Sequence, residues 1–240
     1  MKIAVQLYSV RDHIKSGEDM LKVLEQVKAL GYDGVEFAGY FGLDAATLKA
    51  KLDELGLVCV GGHIGLDDFL PVKIDKTYEY QKTLGAPNIG VGGAPHRTMV
   101  DCKLTGKILG NANKVLEPKG LKVYYHNHSD EFKPLRNKKL PIDVLKEYCW
   151  LQVDTYWSFH AGVDNYKFIS ENKDRIVFLH VKDGIDGHPK ALGEGNCDIP
   201  AVIKAAKDCG IEWLIVENDD PVPNGLDDID RSIKYLKTLL

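Results

Sequence analysis

Polar side chains that can bind metals or move protons stand directly after short apolar runs along this sequence. These positions are Gln6, Glu36, His63, His126, Asn127, His128, Asp154, His180, Lys182, Asp183 and Glu217. Imidazole nitrogens suit zinc, iron, cobalt and manganese, and carboxylate oxygens suit harder ions such as magnesium and manganese. If the apolar runs are strands whose ends converge, one divalent metal ion is predicted to be held by His126, Asp154, His180 and Glu217.

Each of these residues has a simpler interpretation when it is taken alone. A histidine at the end of a strand is more often a hydrogen-bonded core residue than a ligand. Asp154 would serve as the cap of a following helix, and Glu36 would pair with a lysine. Lys182 and Asp183 would form a salt bridge with each other. Burying several ionisable groups together without a metal or a substrate is costly, however, so their joint occurrence favours a site.

The elements that would position these residues alternate along the whole chain. Predicted strands cover 2–7, 34–37, 57–60, 88–91, 121–125, 150–153, 176–179 and 213–216. Predicted helices, identified by apolar residues at helical spacing, cover 18–30, 44–55, 78–84, 101–116, 142–148, 163–172, 199–209 and 227–239. The repeat is about 30 residues long, because eight strand–helix units occupy 240 residues.

This alternation predicts a parallel sheet, and eight units of this length predict a single (β/α)8 TIM barrel that spans residues 1–240. The competing architecture is an open doubly wound sheet, which usually carries a glycine-rich phosphate-binding turn after its first strand. Here the corresponding residues 8–12 contain no glycine. In a barrel the residues at the carboxyl ends of the strands meet, so the candidate ligands are predicted to cluster.

Composition narrows the class of protein. The chain has 31 lysine and arginine residues against 35 aspartate and glutamate residues, a formal net charge of -4, which argues against a general nucleic-acid binder. No apolar run reaches the roughly 18 residues of a membrane span, and no segment resembles a signal peptide. The 5 cysteines are scattered and form no CxxC pair, so a reducing cytoplasm is the expected location.

Five stretches of the sequence resemble the xylose isomerase-like barrel superfamily, and within it the sugar phosphate isomerase/epimerase proteins. They are Gln-Leu-Tyr-Ser-Val-Arg-Asp at 6–12, Gly-Tyr-Asp-Gly-Val-Glu at 31–36, Tyr-His-Asn-His at 125–128, Leu-His-Val-Lys-Asp at 179–183 and Leu-Gly-Glu-Gly at 192–195. The resemblance runs from the first predicted strand to the last predicted helix. The resemblance supports a barrel fold, but it does not identify a single reaction.

The resemblance implies one divalent metal ion, most often manganese, held by Glu, Asp, His and Glu on strands five to eight. Asp154, His180 and Glu217 match the last three ligands. Many members read Glu-Asn-His at the first position, whereas residues 126–128 read His-Asn-His. Either His126 or the nearby Glu131 is therefore expected as the first ligand. Cobalt, zinc, iron and magnesium remain alternatives to manganese.

The activity that the resemblance implies is isomerisation or epimerisation of a sugar, keto-sugar or cyclitol. The reaction would proceed by abstraction of a proton alpha to a carbonyl through a metal-stabilised enediolate. We expect Glu217 to be the base. The second proton-transfer partner is expected among Glu131, His63 and Lys182. The residues expected to bind the substrate are Gln6, Glu36, His63, His128 and Trp157.

Three other functions fit the same motifs. Inosose dehydratases of the superfamily also have a histidine-rich fifth strand, so elimination of water, or a keto-glycoside lyase reaction, is one alternative. An endonuclease-IV-like enzyme is disfavoured by the net charge of -4 and by the few spare histidines. A non-catalytic accessory barrel is the third. The expected partner is a small sugar or cyclitol rather than nucleic acid or a membrane, and a homo-oligomer is left open.

Overall fold

Eight parallel strands close into a barrel in the computed structural model, which describes residues 1–240. They are β1 (Lys2–Gln6), β2 (Gly34–Ala38), β3 (Val58–His63), β4 (Asn88–Val91), β5 (Lys122–His126), β6 (Trp150–Asp154), β7 (Ile176–Val181) and β10 (Trp213–Val216). Each strand pairs in parallel with the next, and β10 pairs with β1 to close the ring. The predicted TIM barrel is confirmed.

Nine helices accompany the strands. They are α1 (Gly17–Ala29), α2 (Ala45–Leu55), α3 (Ile74–Leu84), α4 (Met99–Leu116), α5 (Pro141–Leu145), α6 (Thr155–His160), α7 (Asn165–Asn172), α8 (Ile199–Asp208) and α9 (Gly225–Lys237). Most of them begin at a short polar residue whose side chain accepts a backbone N–H, as Asp44 does at α2. None of the helices has the length and hydropathy that crossing a membrane requires.

One helix and one two-stranded hairpin are absent from the sequence prediction. Helix α6 has six residues and follows β6 immediately, so it is too short to show helical spacing. Strands β8 (Asp183–Ile185) and β9 (His188–Lys190) form an antiparallel hairpin outside the barrel. Its turn is Asp186-Gly187, with positive φ at both residues, which is a recognisable hairpin signal. Each strand is only three residues long, which is too short to show an alternation of apolar and polar residues.

Apolar side chains fill the barrel below its polar end. A small cluster of buried residues from five barrel strands comprises Ala4, Val60, Tyr124, Phe178 and Ile215. On four of these strands, the residue two positions later carries a polar side chain on the same inward face, because side chains alternate along a strand. The Tyr124 ring packs so closely on Gly90 of β4 that a side chain there would overlap it. Gly90 therefore lets this tyrosine reach across the barrel.

The loop between β7 and α8 is organised by the buried carboxylate of Asp183. Its Oδ1 accepts the N–H groups of Gly184 and Cys197 at 2.9 and 3.0 Å. Its Oδ2 accepts those of Gly193 and Gly195, each at 3.0 Å. Asp183 is thus fully engaged by backbone donors, and it does not form the salt bridge with Lys182 that the sequence suggested.

We expect Asp183→Ala to destabilise the protein by about 3 kcal/mol or more, because four buried or half-buried N–H groups lose their acceptor. In a chain of this size that corresponds to a fall in Tm of roughly 6 to 12 °C. Thermal unfolding followed by circular dichroism measures it. The matched control is Asp198→Ala, which removes only an exposed helix cap and is expected to cost about 1 kcal/mol. Equal losses in the two variants would contradict this account of the loop.

Candidate active site

A cavity of about 860 Å³ opens at the carboxyl ends of the barrel strands. Its walls combine aromatic rings, imidazoles and carboxylates, among them Tyr8, Tyr40, His63, Asp68, His126, His128, Trp157, Glu217 and Asp219. This is the end of a TIM barrel at which active sites are built, because loops from several strands converge there.

Four buried side chains meet at the floor of this cavity. They come from the ends of β5, β6, β7 and β10, and one potential ligand atom from each lies within 4.8 Å of the others. Their exposed fractions are 5% or less. The set is His126, Asp154, His180 and Glu217, so the structure brings together the four side chains that the sequence analysis selected as metal ligands.

Asp154 uses its two oxygens differently. Oδ1 accepts the N–H groups of Tyr156 and Trp157 at 3.0 and 2.8 Å and so caps α6. Oδ2 is buried and accepts no hydrogen bond, and Lys182 Nζ lies 3.1 Å from it as an ion pair. Burial, opposed by the neighbouring Lys182, raises the pKa of this carboxyl. Asp154 therefore caps α6 through Oδ1, and its predicted role as a metal ligand would use the other oxygen, Oδ2.

Glu36 lies beneath the cluster and is completely buried. Its carboxylate accepts hydrogen bonds from Tyr124 Oη, Gln6 Nε2 at 2.8 Å, Gln152 Nε2 at 2.7 Å and His180 Nε2 at 2.5 Å. Burial alone raises the pKa of Glu36, but His63 and His180 outweigh it, so the pKa lies below its ordinary value. An ionised carboxylate can only accept, and each of these partners must donate to it.

This requirement fixes the orientation of Gln152 and the tautomer of His126. Because the amide nitrogen of Gln152 donates to Glu36, its Oε1 faces two rings, His126 Nδ1 at 3.0 Å and His63 Nε2 at 2.7 Å. His126 must then carry its proton on Nδ1. Burial and the nearby His180 hold the pKa of His126 well below its usual range, so the ring is neutral. Its Nε2, 3.9 Å from Asp154 Oδ2, keeps a free lone pair.

The contacts of His180 indicate that this cluster needs a proton or a cation. Its Nε2–H is committed to Glu36, and its Nδ1 lies 2.8 Å from Glu217 Oε2. Two lone pairs cannot face each other at that distance, so a proton or a cation must lie between them. Burial alone lowers the pKa of His180, but Glu217 and Glu36 outweigh it and raise the pKa to about 10. Together with Asp154 Oδ2, which accepts no hydrogen bond, these donors fit a divalent metal ion.

Lys182 lies beneath the four-residue cluster and contributes a positive charge to its carboxylates. Its buried Nζ lies 3.1 Å from Asp154 Oδ2, 2.8 Å from Glu217 Oε2 and 2.6 Å from Asp219 Oδ2. Burial alone lowers the pKa of Lys182, but these carboxylates raise it above its ordinary value. Burial alone raises the pKa of Glu217, but Lys182 and His180 bring it well below the usual range. Glu217 is therefore ionised at neutral pH.

The residues selected as substrate-binding divide into two groups. His63, His128 and Trp157 line the cavity. The Trp157 indole donates to Asp219 Oδ2 at 3.2 Å, and its ring centroid lies 5.9 Å from that of His128. Gln6 and Glu36 are both fully buried, and they hydrogen-bond to each other under the floor instead of lining the cavity.

Glu131 lies apart from the four-residue cluster. Its Oε1 accepts the hydroxyl of Tyr125 at 2.7 Å and lies 3.5 Å from His96 Nδ1, and its Oε2 accepts the backbone N–H of His128 at 3.0 Å. Tyr125 alternates with the inward-facing Tyr124 and packs among the side chains outside the barrel. The structure thus places Glu131 behind β5, where it anchors the backbone at His128.

Several residues of the site were missed by the sequence analysis. They are Tyr8, Tyr40 and Asp68 in the cavity wall and Tyr124 and Gln152 beneath the cluster. Gln152 stands two positions before Asp154, and Tyr124 two positions before His126, so both share the inward face of their strand. The two-residue spacing could therefore have identified Gln152 and Tyr124 from the sequence.

Known proteins resemble the chain over most of its length. A family model described as xylose isomerase-like TIM barrel matches residues 24–239. An inosose dehydratase from Geobacillus kaustophilus (strain HTA426) is 25% identical over 191 residues, which cover 68% of this chain and 61% of that protein. The chain therefore spans less than two thirds of the length of this relative.

Two solved structures share the fold. A sugar phosphate isomerase/epimerase from Parabacteroides distasonis ATCC 8503 superimposes with a TM-score of 0.81 at 22% identity, over 98% of this chain and 93% of that one. A protein named IOLI with a bound zinc atom superimposes with a TM-score of 0.77 at 15% identity, over 100% of this chain and 98% of that one.

Proposed function

Because the chain belongs to the xylose isomerase-like TIM barrel family, we propose that it is a divalent-metal-dependent isomerase or epimerase of a small keto-sugar or cyclitol. The reaction would begin with removal of a proton alpha to the substrate carbonyl. The observation that carries the proposal is the buried set of two imidazoles and two carboxylates at the floor of an open polar cavity.

The metal ion would be held by His126, Asp154, His180 and Glu217. We propose manganese, with cobalt, zinc, iron and magnesium as ions that the same donors accept. A bound divalent cation polarises a substrate carbonyl and thereby makes the adjacent C–H group acidic. The IOLI protein, which shares this fold, binds a zinc atom, and this supports metal binding by the barrel without deciding the metal or its place.

Glu217 is the proposed base. Its contacts with His180 and Lys182 both use Oε2, which leaves Oε1 without a protein partner on a side chain that lines the cavity. Its lowered pKa keeps it ionised at neutral pH and ready to accept a proton. The same lowered pKa makes it a weak base, and this explains why the C–H group must first be acidified.

We propose that the second proton-transfer partner is either His63 or Lys182. His63 lines the cavity, and its Nε2 donates to Gln152. Its Nδ1 is then an acceptor, and it would exchange its long 3.5 Å contact with Gln6 Nε2 for a proton. Lys182 lies 2.8 Å from Glu217 Oε2 and can return a proton on that side. Glu131 contributes by anchoring His128 instead, since it touches neither the cluster nor the cavity.

Elimination of water is the second candidate reaction. The sequence similarity to an inosose dehydratase favours it, and it begins with the same proton abstraction. The two reactions differ in product: an epimerase returns an isomer of the same mass, whereas a dehydratase returns a product that is lighter by one water. Mass spectrometry of the product separates them.

The test of the metal site is a double variant. We expect Asp154→Ala with His180→Ala to lose stoichiometric binding of manganese, cobalt and zinc, because half of the donor set is removed. Elemental analysis after loading and dialysis measures this. The matched control is Asp174→Ala with His188→Ala, which removes the same residue types from exposed positions outside the cavity. One metal ion per chain retained by the first variant would contradict the proposed site.

The test of the reaction is proton exchange. In deuterium oxide the metal-loaded protein is expected to introduce deuterium next to the carbonyl of a ketose, a 3-keto-glycoside or an inosose. Proton NMR measures this as the loss of the signal of the exchanged proton. Absence of both metal binding and exchange would overturn the proposed enzyme.

A further inference from the structure

The outward face of α4 differs from the outward faces of five other helices. Helices α1, α2, α7, α8 and α9 each carry a salt bridge between a lysine and a carboxylate four residues away. Helix α4 instead exposes Val100, Leu104 and Val115 to solvent. Positions that are four or eleven residues apart lie on nearly the same side of a helix, so these three side chains form one apolar stripe.

An apolar groove of about 260 Å³ runs beside this stripe. Ile108 lines it from α4, and Phe69 and Pro71 line it from the segment that leads into α3. Val72, the next residue of that segment, is 89% exposed, more than any other large apolar side chain of the chain. The stripe, the groove and Val72 together form one apolar surface, the α3–α4 face. Exposed apolar surfaces of this kind mark sites of contact with other molecules.

Charged side chains follow the two long edges of the α3–α4 face. Lys103, Lys107 and Lys114 lie along the edge of α4 that is turned away from the groove, and they pair with no carboxylate of the chain. On the far side of the groove, Asp75 and Glu79 lie on the exposed side of α3 and pair with no cation of the chain. The face thus has lysines on one edge and carboxylates on the other.

The two lysines of α3 are placed away from this second edge. Lys82 Nζ lies over the ring of Tyr78, 5.7 Å from its centroid. Lys76 stands two residues after Ile74, which lines the groove, and therefore projects about 200° round the helix from it. The carboxylates of Asp75 and Glu79 remain the charged groups of α3 that are available to a partner on this face.

A second copy of the chain fits this arrangement. A two-fold contact pairs a face with itself, so one face must supply both complementary halves. If the two-fold axis lies along the groove, Val72 of each copy rests on the α4 stripe of the other. The same axis brings the lysine edge of each copy to the carboxylate edge of the other. An axis across the groove would instead bring like charges together, which disfavours that orientation.

We propose that two copies of this chain associate through the α3–α4 face as a two-fold dimer. Burial of Val72 and the α4 stripe supplies the affinity, because apolar surface of both copies leaves water. Pairing of the oppositely charged edges sets the orientation. The face lies on the outside of the barrel, apart from the four-residue cluster, so the dimer does not depend on the proposed reaction.

The first test is sedimentation velocity of the full chain at about 1 to 100 µM. We expect a species with twice the mass of one chain. Its dissociation constant is expected to rise about 100-fold or more in Val72→Glu, because the new carboxylate would lose its hydration in the contact. Val72 is exposed in the single chain, so the variant is expected to keep the circular dichroism spectrum and the Tm of the folded monomer.

The matched control is Val222→Glu, the same change at an exposed valine in the loop before α9. Val222 lies outside the α3–α4 face, so the dissociation constant is expected to change by less than about two-fold.

The second test exchanges the charges of the two edges. Lys103→Glu with Lys107→Glu and Lys114→Glu reverses one edge, and Asp75→Lys with Glu79→Lys reverses the other. Each variant alone is expected to dimerise at least about ten-fold more weakly, since like charges then face each other. An equimolar mixture of the two is expected to form a heterodimer, because its facing edges are again opposite in sign. Native mass spectrometry identifies the heterodimer by its mass.

A wild-type chain that stays monomeric up to about 100 µM would overturn the proposal. A dimer that survives Val72→Glu unchanged would do so as well, because another face must then form it. Equal weakening by Val222→Glu would show that the effect is not specific to this face. Charge variants that dimerise like the wild type, or that fail to pair when they are mixed, would refute the proposed orientation of the two copies.

Discussion

Replacing Glu217 by glutamine is expected to slow deuterium exchange into a bound keto-sugar by about 100-fold or more, counted per bound metal ion. Glutamine keeps the shape of the side chain and an oxygen, but it cannot accept a proton at neutral pH. The effect is large because Glu217 is the ionised cavity-lining carboxylate with an oxygen free of protein partners next to the proposed metal ligands. The expected loss is therefore in the exchange rate at saturating substrate.

The measurement must separate loss of the base from loss of the metal, since Glu217 is proposed for both roles. Exchange is followed by NMR at saturating manganese, and metal content is determined on the same sample. Glu212→Gln is the matched control, because Glu212 is an exposed carboxylate paired with Lys2. Undiminished exchange per bound metal in Glu217→Gln would exclude it as the base and leave His63 as the next candidate.

The barrel was predictable because the same sequence signals recur in all eight strand–helix units. Each strand–helix unit carries its own apolar run, amphipathic segment and turn residues, so an error in one boundary does not change the architecture. Helix α3, for example, begins at Ile74 instead of residue 78. The same repetition located the four-residue cluster, since its members are far apart in sequence and share only a place at the end of a barrel strand.

What the sequence could not supply is the direction in which each polar side chain points. Glu131 lies five residues after a cluster member, yet a turn carries its carboxylate back to the His128 N–H, behind β5. Glu36 was predicted near the end of its strand, but β2 continues to Ala38, so Glu36 lies under the floor, where four donors occupy it. Burial and hydrogen-bond partners depend on neighbouring strands, and a single strand's sequence does not contain them.

The hydrogen bonds of Glu36 determine how the two imidazoles of the cluster are oriented. As an acceptor of hydrogen bonds it orients the Gln152 amide, and through it the proton of His126, while it also holds the proton of His180 on Nε2. Both imidazoles thereby turn an unprotonated nitrogen, or one that a metal ion can deprotonate, toward Asp154 and Glu217. Hydrogen-bond partners behind metal-binding histidines commonly set their orientation and basicity in this way.

Glu36→Gln is therefore expected to weaken metal binding by about 10- to 100-fold, although all four proposed ligands are kept. The new amide nitrogen is a donor. In the place of Oε2 it would face the donor nitrogens of Gln6 and His180, and in the place of Oε1 it would face the donor nitrogen of Gln152. If Gln152 turns to relieve this, its own nitrogen meets His126 Nδ1, and the ring proton moves to the nitrogen that faces the cluster. Competition with a chelating dye measures the metal affinity.

A second readout separates this positioning role from simple destabilisation. The ring ¹⁵N shifts of His126 in the metal-free protein report which nitrogen is protonated, and Glu36→Gln is expected to change them. The control is Glu131→Gln, another buried carboxylate that accepts a tyrosine hydroxyl but lies outside the cluster. It is expected to lower the Tm while leaving metal affinity within about two-fold, because Glu131 contacts neither imidazole ligand. Wild-type affinity and unchanged ring shifts in Glu36→Gln would show instead that the histidines are oriented without it.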